Sequence, residues 1–152
     1  MFAATPKCRS IGAPAMAVPP EPLLVAEHAL RIVYRASGGS AEEEKWVVAK
    51  FSGFAHFRHG YPNDEALGAH PLAKHGLKFY DVFEVDHSPL IEEMKKRNRI
   101  HPRHSDALFA NHRHWVFTFQ DETLDVISRD APTFEVISAM SASDALQKQK
   151  TA

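Results

Sequence analysis

Apolar and polar positions alternate most cleanly between Asn111 and Arg129, NHRHWVFTFQDETLDVISR. Trp115, Phe117 and Phe119 alternate with His114, Val116 and Thr118, and after a polar break Leu124, Val126 and Ser128 alternate with Asp125, Ile127 and Arg129. Period two is the spacing of a strand, and two such arms around Gln120–Thr123 predict an antiparallel hairpin. A two-residue turn sets Phe119 opposite Leu124, Phe117 opposite Val126 and Trp115 opposite Ser128; a four-residue loop keeps the same facing. One face is then apolar. The other carries His114, Val116 and Thr118 beside Asp125, Ile127 and Arg129, a mixed face that is solvated, covered, or the wall of a site.

The same reading predicts a strand over 23–36, broken by Ser37-Gly38-Gly39-Ser40, and a long apolar strand over 42–57 with Gly53 marking a bulge or a close backbone contact. Together they make a first hairpin. Residues 58–77 carry Gly60, Pro62, Gly68, Pro71 and Gly76 and predict an irregular loop, anchored to the core by Leu67, Leu72 and Leu77. Alternation resumes over 78–86 as a third strand. Ser88 then starts a helix as N-cap, with Pro89 at its first position, acidic residues early, and Lys95, Lys96 and Arg97 near its end. A last strand is predicted over 133–137. The fold class is α+β: a mostly antiparallel sheet of five or six strands, half-open and barrel-like, with one main helix after the third strand. Residues 1–22, rich in Ala and Pro, read as a flexible tail, 23–138 as a single domain, and 139–152 as a C-terminal tail.

Composition narrows the function classes without choosing one. The chain has 152 residues, 44% hydrophobic and 24% charged, which suits one globular domain. A formal net charge of −1 argues against nucleic acid as a partner, and leaves the basic run Lys95–Arg103 as a solvated helix end. No apolar run spans a bilayer. The single cysteine, Cys8, excludes an intramolecular disulfide and points to a reducing, cytoplasmic compartment. Lys7 and Arg9, with no acid before Glu21, also suit an organelle transit peptide over 1–20.

Ten histidines keep metal binding and acid–base chemistry open. His112-x-His114 puts two imidazoles on one face of a strand, and His56, His59, His70 and His75 cluster along the chain. The hairpin pair has no third ligand nearby, so no metal ligand set is assigned; no cofactor is predicted, and a divalent metal stays open. For metal-free catalysis the candidates are Asp64, Glu65, His70 and His114, which meet if the loop folds over the sheet. Tyr61, Asn63 and His101 are the matching ligand-binding candidates. Against these stands a structural reading in which Asn63, Asp64 and Glu65 cap a helical turn and His70 packs into the core.

The run Asn63-Asp64-Glu65-Ala66-Leu67, His70-Pro71-Leu72, Gly76-Leu77, Tyr80, Phe83-Glu84-Val85 and His114 to Glu122 resembles a group of small uncharacterised proteins. The resemblance covers about residues 57–127 and implies no activity; it marks the loop as the place to look. The function expected is a small soluble binding or interaction domain, with its recognition surface at the 61–75 loop and the polar face of the 112–129 hairpin. Its partner is a small molecule or a protein, and a sheet edge offers a route to a homodimer. The alternative is a small His/carboxylate enzyme, with or without a divalent metal.

Overall fold

The computed structural model describes residues 4–18, 21–40 and 42–151. Parts of the predicted N-terminal tail, residues 1–3 and 19–20, and the last residue of the predicted C-terminal tail lie outside the described residues.

Among the described residues, nine strands form two antiparallel sheets where one sheet is predicted. The first orders β1 (Lys7–Ser10), β6 (Val82–Asp86), β7 (Arg113–Thr118), β8 (Thr123–Ser128) and β5 (Phe54–Gly60); the second orders β2 (Leu23–Ala26), β3 (Leu30–Arg35), β4 (Lys45–Phe51) and β9 (Thr133–Ser138). Neither closes into a barrel. Two predicted strands are each split in the molecule. The predicted strand over 23–36 doubles back at Glu27–Ala29 to give the β2–β3 hairpin. The predicted strand over 42–57 turns at Ser52-Gly53, so that β4 lies in one sheet and β5 in the other. Gly53 faces the Asp130 carboxylate so closely that a Cβ would sit 2.6 Å from Oδ2, the close contact its position predicts.

Face-to-face packing of the sheets makes the main core. Ile32 and Tyr34 of β3 and Val47, Ala49 and Phe51 of β4 meet Trp115, Phe117, Leu124 and Val126 of the central hairpin. The Phe51 ring centroid lies 5.3 Å from that of Trp115 and 6.0 Å from that of Phe117, tilted and edge-on. Each of these buried aromatics contributes about 2–3 kcal/mol by removal from water.

The outer faces are covered too. On the four-stranded sheet, α2 (Ala142–Thr151) lays Ala145 and Leu146 over Val33, Trp46 and Val48. Residues 142–151, read from the sequence as a frayed or weakly helical tail, form a docked helix, with Ser141 Oγ accepting from Asp144 N at 3.1 Å. Of the predicted 58–77 loop, residues 58–60 complete β5, and on the five-stranded sheet residues 61–77 lie across the face formed by Phe83, Val85 and Val116, with Leu67, Leu72 and Leu77 packed down on it. Part of the predicted N-terminal tail is also ordered, since Lys7–Ser10 pairs with Val82–Asp86 as an edge strand.

The main helix, α1 (Pro89–Asn98), follows β6, which is sixth in chain order, and begins at the predicted cap: Ser88 Oγ accepts from Ile91 N at 3.2 Å. In the central hairpin Phe117 faces Leu124, Trp115 faces Val126 and His114 faces Ile127. The facing is as predicted, but the partners of the two-residue turn are displaced by two positions. The connection is a four-residue loop, with Phe119 N donating to Glu122 O at 3.0 Å.

Candidate functional site

The loop is sewn to the hairpin at several points. Asp64 N donates to Gln120 O at 2.8 Å, Thr123 Oγ1 to Pro62 O at 2.8 Å, and Thr118 Oγ1 to Lys78 O at 2.7 Å. Two short 3-10 turns, Asp64–Ala69 and Ala73–His75, give the loop its shape, and Asn63 caps the first by accepting from Ala66 N at 3.0 Å. This anchoring holds His70 down on the polar hairpin face, where it is buried at 6% exposure.

Beneath it stands Asp125, 4% exposed, on the same face of β8 as His114 is on β7. His114 Nε2 lies 2.7 Å from Asp125 Oδ1, and its Nδ1 lies 2.7 Å from Ser88 Oγ. One proton arrangement satisfies every member. Ile91 N–H donates to Ser88 Oγ, the Ser88 hydroxyl to His114 Nδ1, and His114 Nε2–H to Asp125. The other carboxylate oxygen, Oδ2, faces Arg58 Nη2 at 3.5 Å and His70 Nε2 at 4.0 Å.

Burial alone would raise the Asp125 carboxyl, but the hydrogen bond from His114 and the electrostatic pull of the neighbouring His114, Arg58 and His70 side chains outweigh it and hold Asp125 below the ordinary carboxylate range. His70 moves the other way for its type. Burial lowers it more than the Asp125 charge raises it, with Arg58 and His114 adding to the lowering. His70 is therefore neutral at pH 7, and its 4.0 Å approach to Asp125 is not an ion pair. Its Nδ1 accepts from Leu72 N at 3.0 Å, which puts the ring proton on Nε2, facing Asp125.

Asp125 lines a cavity of about 400 Å³ together with Arg58, Tyr61, Pro62, Ala69, His70 and Pro71. The walls are largely apolar. Tyr61 stands at the rim, 90% exposed.

The predicted site residues divide into two groups. His70 and His114 come together through Asp125, and Tyr61 lines the same cavity. Asp64 and Glu65 do not join them: the Asp64 carboxylate accepts the Tyr80 hydroxyl, and Glu65 is exposed in the first turn of the 3-10 segment. Asn63 is a cap. His101 is exposed in the turn after α1, where its Nδ1 accepts from Arg103 N at 3.1 Å. The expected meeting of Asp64, Glu65, His70 and His114 is thus corrected: the carboxylate between the two imidazoles is Asp125.

Arg58, Ser88 and Asp125 are absent from the predicted set. Asp125 carried a signal, being an acid inside an otherwise apolar strand on the face already holding His114. The His112–His114 pair does not act as a unit, since the His112 ring packs tilted against Phe109, centroids 5.0 Å apart, with its Nδ1 buried and unpartnered, while His114 is bound to Ser88 and Asp125. Among the described residues no group of three His, Cys, Asp or Glu side chains is placed to hold a metal ion. Cys8 is buried, and burial with the nearby Asp125 and Asp86 charges pushes its thiol up to about 11, so it is no nucleophile at neutral pH. Among the described residues no helix is long and apolar enough to cross a membrane.

No family model, curated protein or solved structure matches this chain.

Proposed function

We propose that the chain is a small binding domain whose cavity beneath the 61–75 loop takes a compact polar molecule. The observation that carries this reading is the Asp125 carboxylate, buried and ionised in the lining of an open cavity, whose Oδ2 has only a long hydrogen bond from Arg58 Nη2 at 3.5 Å and His70 Nε2 beside it at 4.0 Å. Burying a charge is costly unless something repays it; His114 satisfies one oxygen at 2.7 Å, while Arg58 reaches the other only at 3.5 Å. A ligand donor group would complete the other.

The rival reading, a small His/carboxylate enzyme, draws on the line Ser88–His114–Asp125. Proton bookkeeping favours binding. The lone pairs of both rings are taken inside the protein, so His114 could act as a base only through Ser88. His114 has Ser88 on one nitrogen and Asp125 on the other, and His70 has Leu72 N on one and its own proton on the other. Ser88 is itself buried and serves as a helix cap, so it is not presented as a nucleophile. A divalent metal belongs with the rival reading, and stoichiometric metal in the purified protein would favour it. A second copy of the chain as partner would add at the open edge of β9, where Val136 is half exposed.

A thermal-shift screen of small polar metabolites on the full chain, run in parallel on Asp125→Asn, tests the binding reading. Ligands of the cavity raise the melting temperature of the parent in proportion to occupancy and lose that effect in the variant. A panel that shifts both proteins alike, or neither, would sink it.

A further inference from the structure

The cavity's polar groups define more than polarity. His70 Nε2 carries a proton and Asp125 Oδ2 carries lone pairs, and the two atoms are 4.0 Å apart. That gap is too long for a direct hydrogen bond and suited to one bridging atom. An oxygen placed about 2.8 Å from each closes a triangle with an angle near 90° at the bridge. The bridging group must accept from His70 and donate to Asp125. A hydroxyl does both; an ammonium cannot accept, and a carboxylate cannot donate.

Charge narrows the class further. Arg58 and Asp125 compensate each other at 3.5 Å, and His70 is neutral, so the cavity has no net charge with which to draw in an anion or a cation. Arg58 is half exposed and has further N–H groups for acceptor oxygens next to the bridging hydroxyl. The remaining walls, Tyr61, Pro62 and Pro71, are flat and apolar, with the Tyr61 ring exposed at the rim. The ligand therefore needs adjacent hydroxyls on one side and a C–H face on the other.

Resting on the binding reading above, we infer that the cavity takes a neutral cyclic polyol of the monosaccharide class: one ring hydroxyl bridges His70 and Asp125, a neighbouring oxygen accepts from Arg58, and the C–H face lies against Tyr61.

The test is ligand-observed saturation-transfer NMR, followed by calorimetric titration, on the full chain. The probes are D-glucose, D-galactose, D-mannose and L-fucose, with lactate as an anionic hydroxyl compound. At least one sugar is expected to bind saturably. Tyr61→Ala should weaken that binding about tenfold with the melting temperature unchanged, because the side chain is exposed. Asp125→Asn should weaken it by a similar factor while the amide chemical shifts of α2 and the four-stranded sheet, remote from the site, stay native. Saturable lactate binding with no sugar binding would overturn the sugar class and leave the cavity reading standing. Sugar binding unaffected by both substitutions would place the site elsewhere and overturn this inference. Absence of any sugar or lactate response, together with a metabolite screen that fails to separate the parent from Asp125→Asn, would overturn both.

Discussion

The hydroxyl of Ser88 lies 2.7 Å from Nδ1 of His114, 26 residues away in the chain, and the same oxygen caps α1 through Ile91 N. One small side chain thus ends a helix and selects the tautomer with which His114 grips Asp125. Replacing Ser88 by Ala removes both bonds inside the protein. We expect Ser88→Ala to cost about 2 kcal/mol, the sum of a lost cap and an unsatisfied buried acceptor, and Ser88→Thr to recover most of it. Urea unfolding of the three proteins measures this. A loss confined to a few tenths of a kcal/mol would mean that His114 is held without Ser88.

Asp125 separates stability from binding. Asp125→Ala leaves His114 Nε2–H buried with no acceptor, and should destabilise the fold by about 3 kcal/mol. Asp125→Asn keeps an oxygen for that proton and should cost about 1 kcal/mol, with the carboxylate charge removed and Arg58 left uncompensated. The comparison of the two unfolding free energies is the check; equal losses would show that the charge, not the hydrogen bond, organises the hairpin face.

Acid should weaken the protein in two stages. His70 titrates below its ordinary value of 6.5, so the unfolded chain takes up its proton first as the pH falls. The stability it lends is complete above about pH 6.5 and is lost as the pH drops towards its folded value. His112, lowered chiefly by burial, adds in the same direction. Asp125 follows in a more acidic window: its contribution is present above its ordinary 3.8 and disappears as the pH passes down through its lowered folded value. Unfolding midpoints between pH 7 and about pH 5 should therefore fall, and His70→Gln should flatten the curve. A His70→Gln profile that keeps the parental slope would assign the first stage to His112 instead.

Two glycines with left-handed backbones should respond differently to alanine. At Gly76, φ +101°, a Cβ would lie 2.9 Å from the backbone carbonyl oxygen of Cys8, whereas at Gly38, φ +83°, it would meet nothing within 4 Å. Gly38→Ala should cost about 1 kcal/mol, the strain of the conformation alone. Gly76→Ala should cost clearly more, about 2–3 kcal/mol, because the loop must also lift from β1. Limited proteolysis after Lys74 and Lys78 offers a second readout, with faster cleavage expected in Gly76→Ala.

How far the sequence foretells this molecule can be seen residue by residue. The facing of Trp115 and His114 follows from period two, and the Ser88 cap from local chemistry, because both depend on neighbours in the chain. The hairpin partners depend on a turn without glycine, and Asp121-Glu122 favours the longer loop that moves Leu124 from Phe119 to Phe117. β1 is only four residues long, set among Ala and Pro, and pairs with residues far along the chain, so no local pattern announces it. Asp125 was visible as the odd acid in an apolar strand, but which histidines would flank it depended on how the loop came down. Arg58 gained its place only because β4 and β5 belong to different sheets.

The pairing of Lys7–Ser10 with Val82–Asp86 has a further effect, on the order of assembly. β1 has nothing to pair with until β6 has formed, and Gly76 rests against the carbonyl of Cys8, so the floor under the loop is laid by residues far apart in the chain. Contacts of that separation form late, after the loop-closure entropy has been met by the hairpin and the inner core. β1 is thus expected to be among the last strands of its sheet to settle.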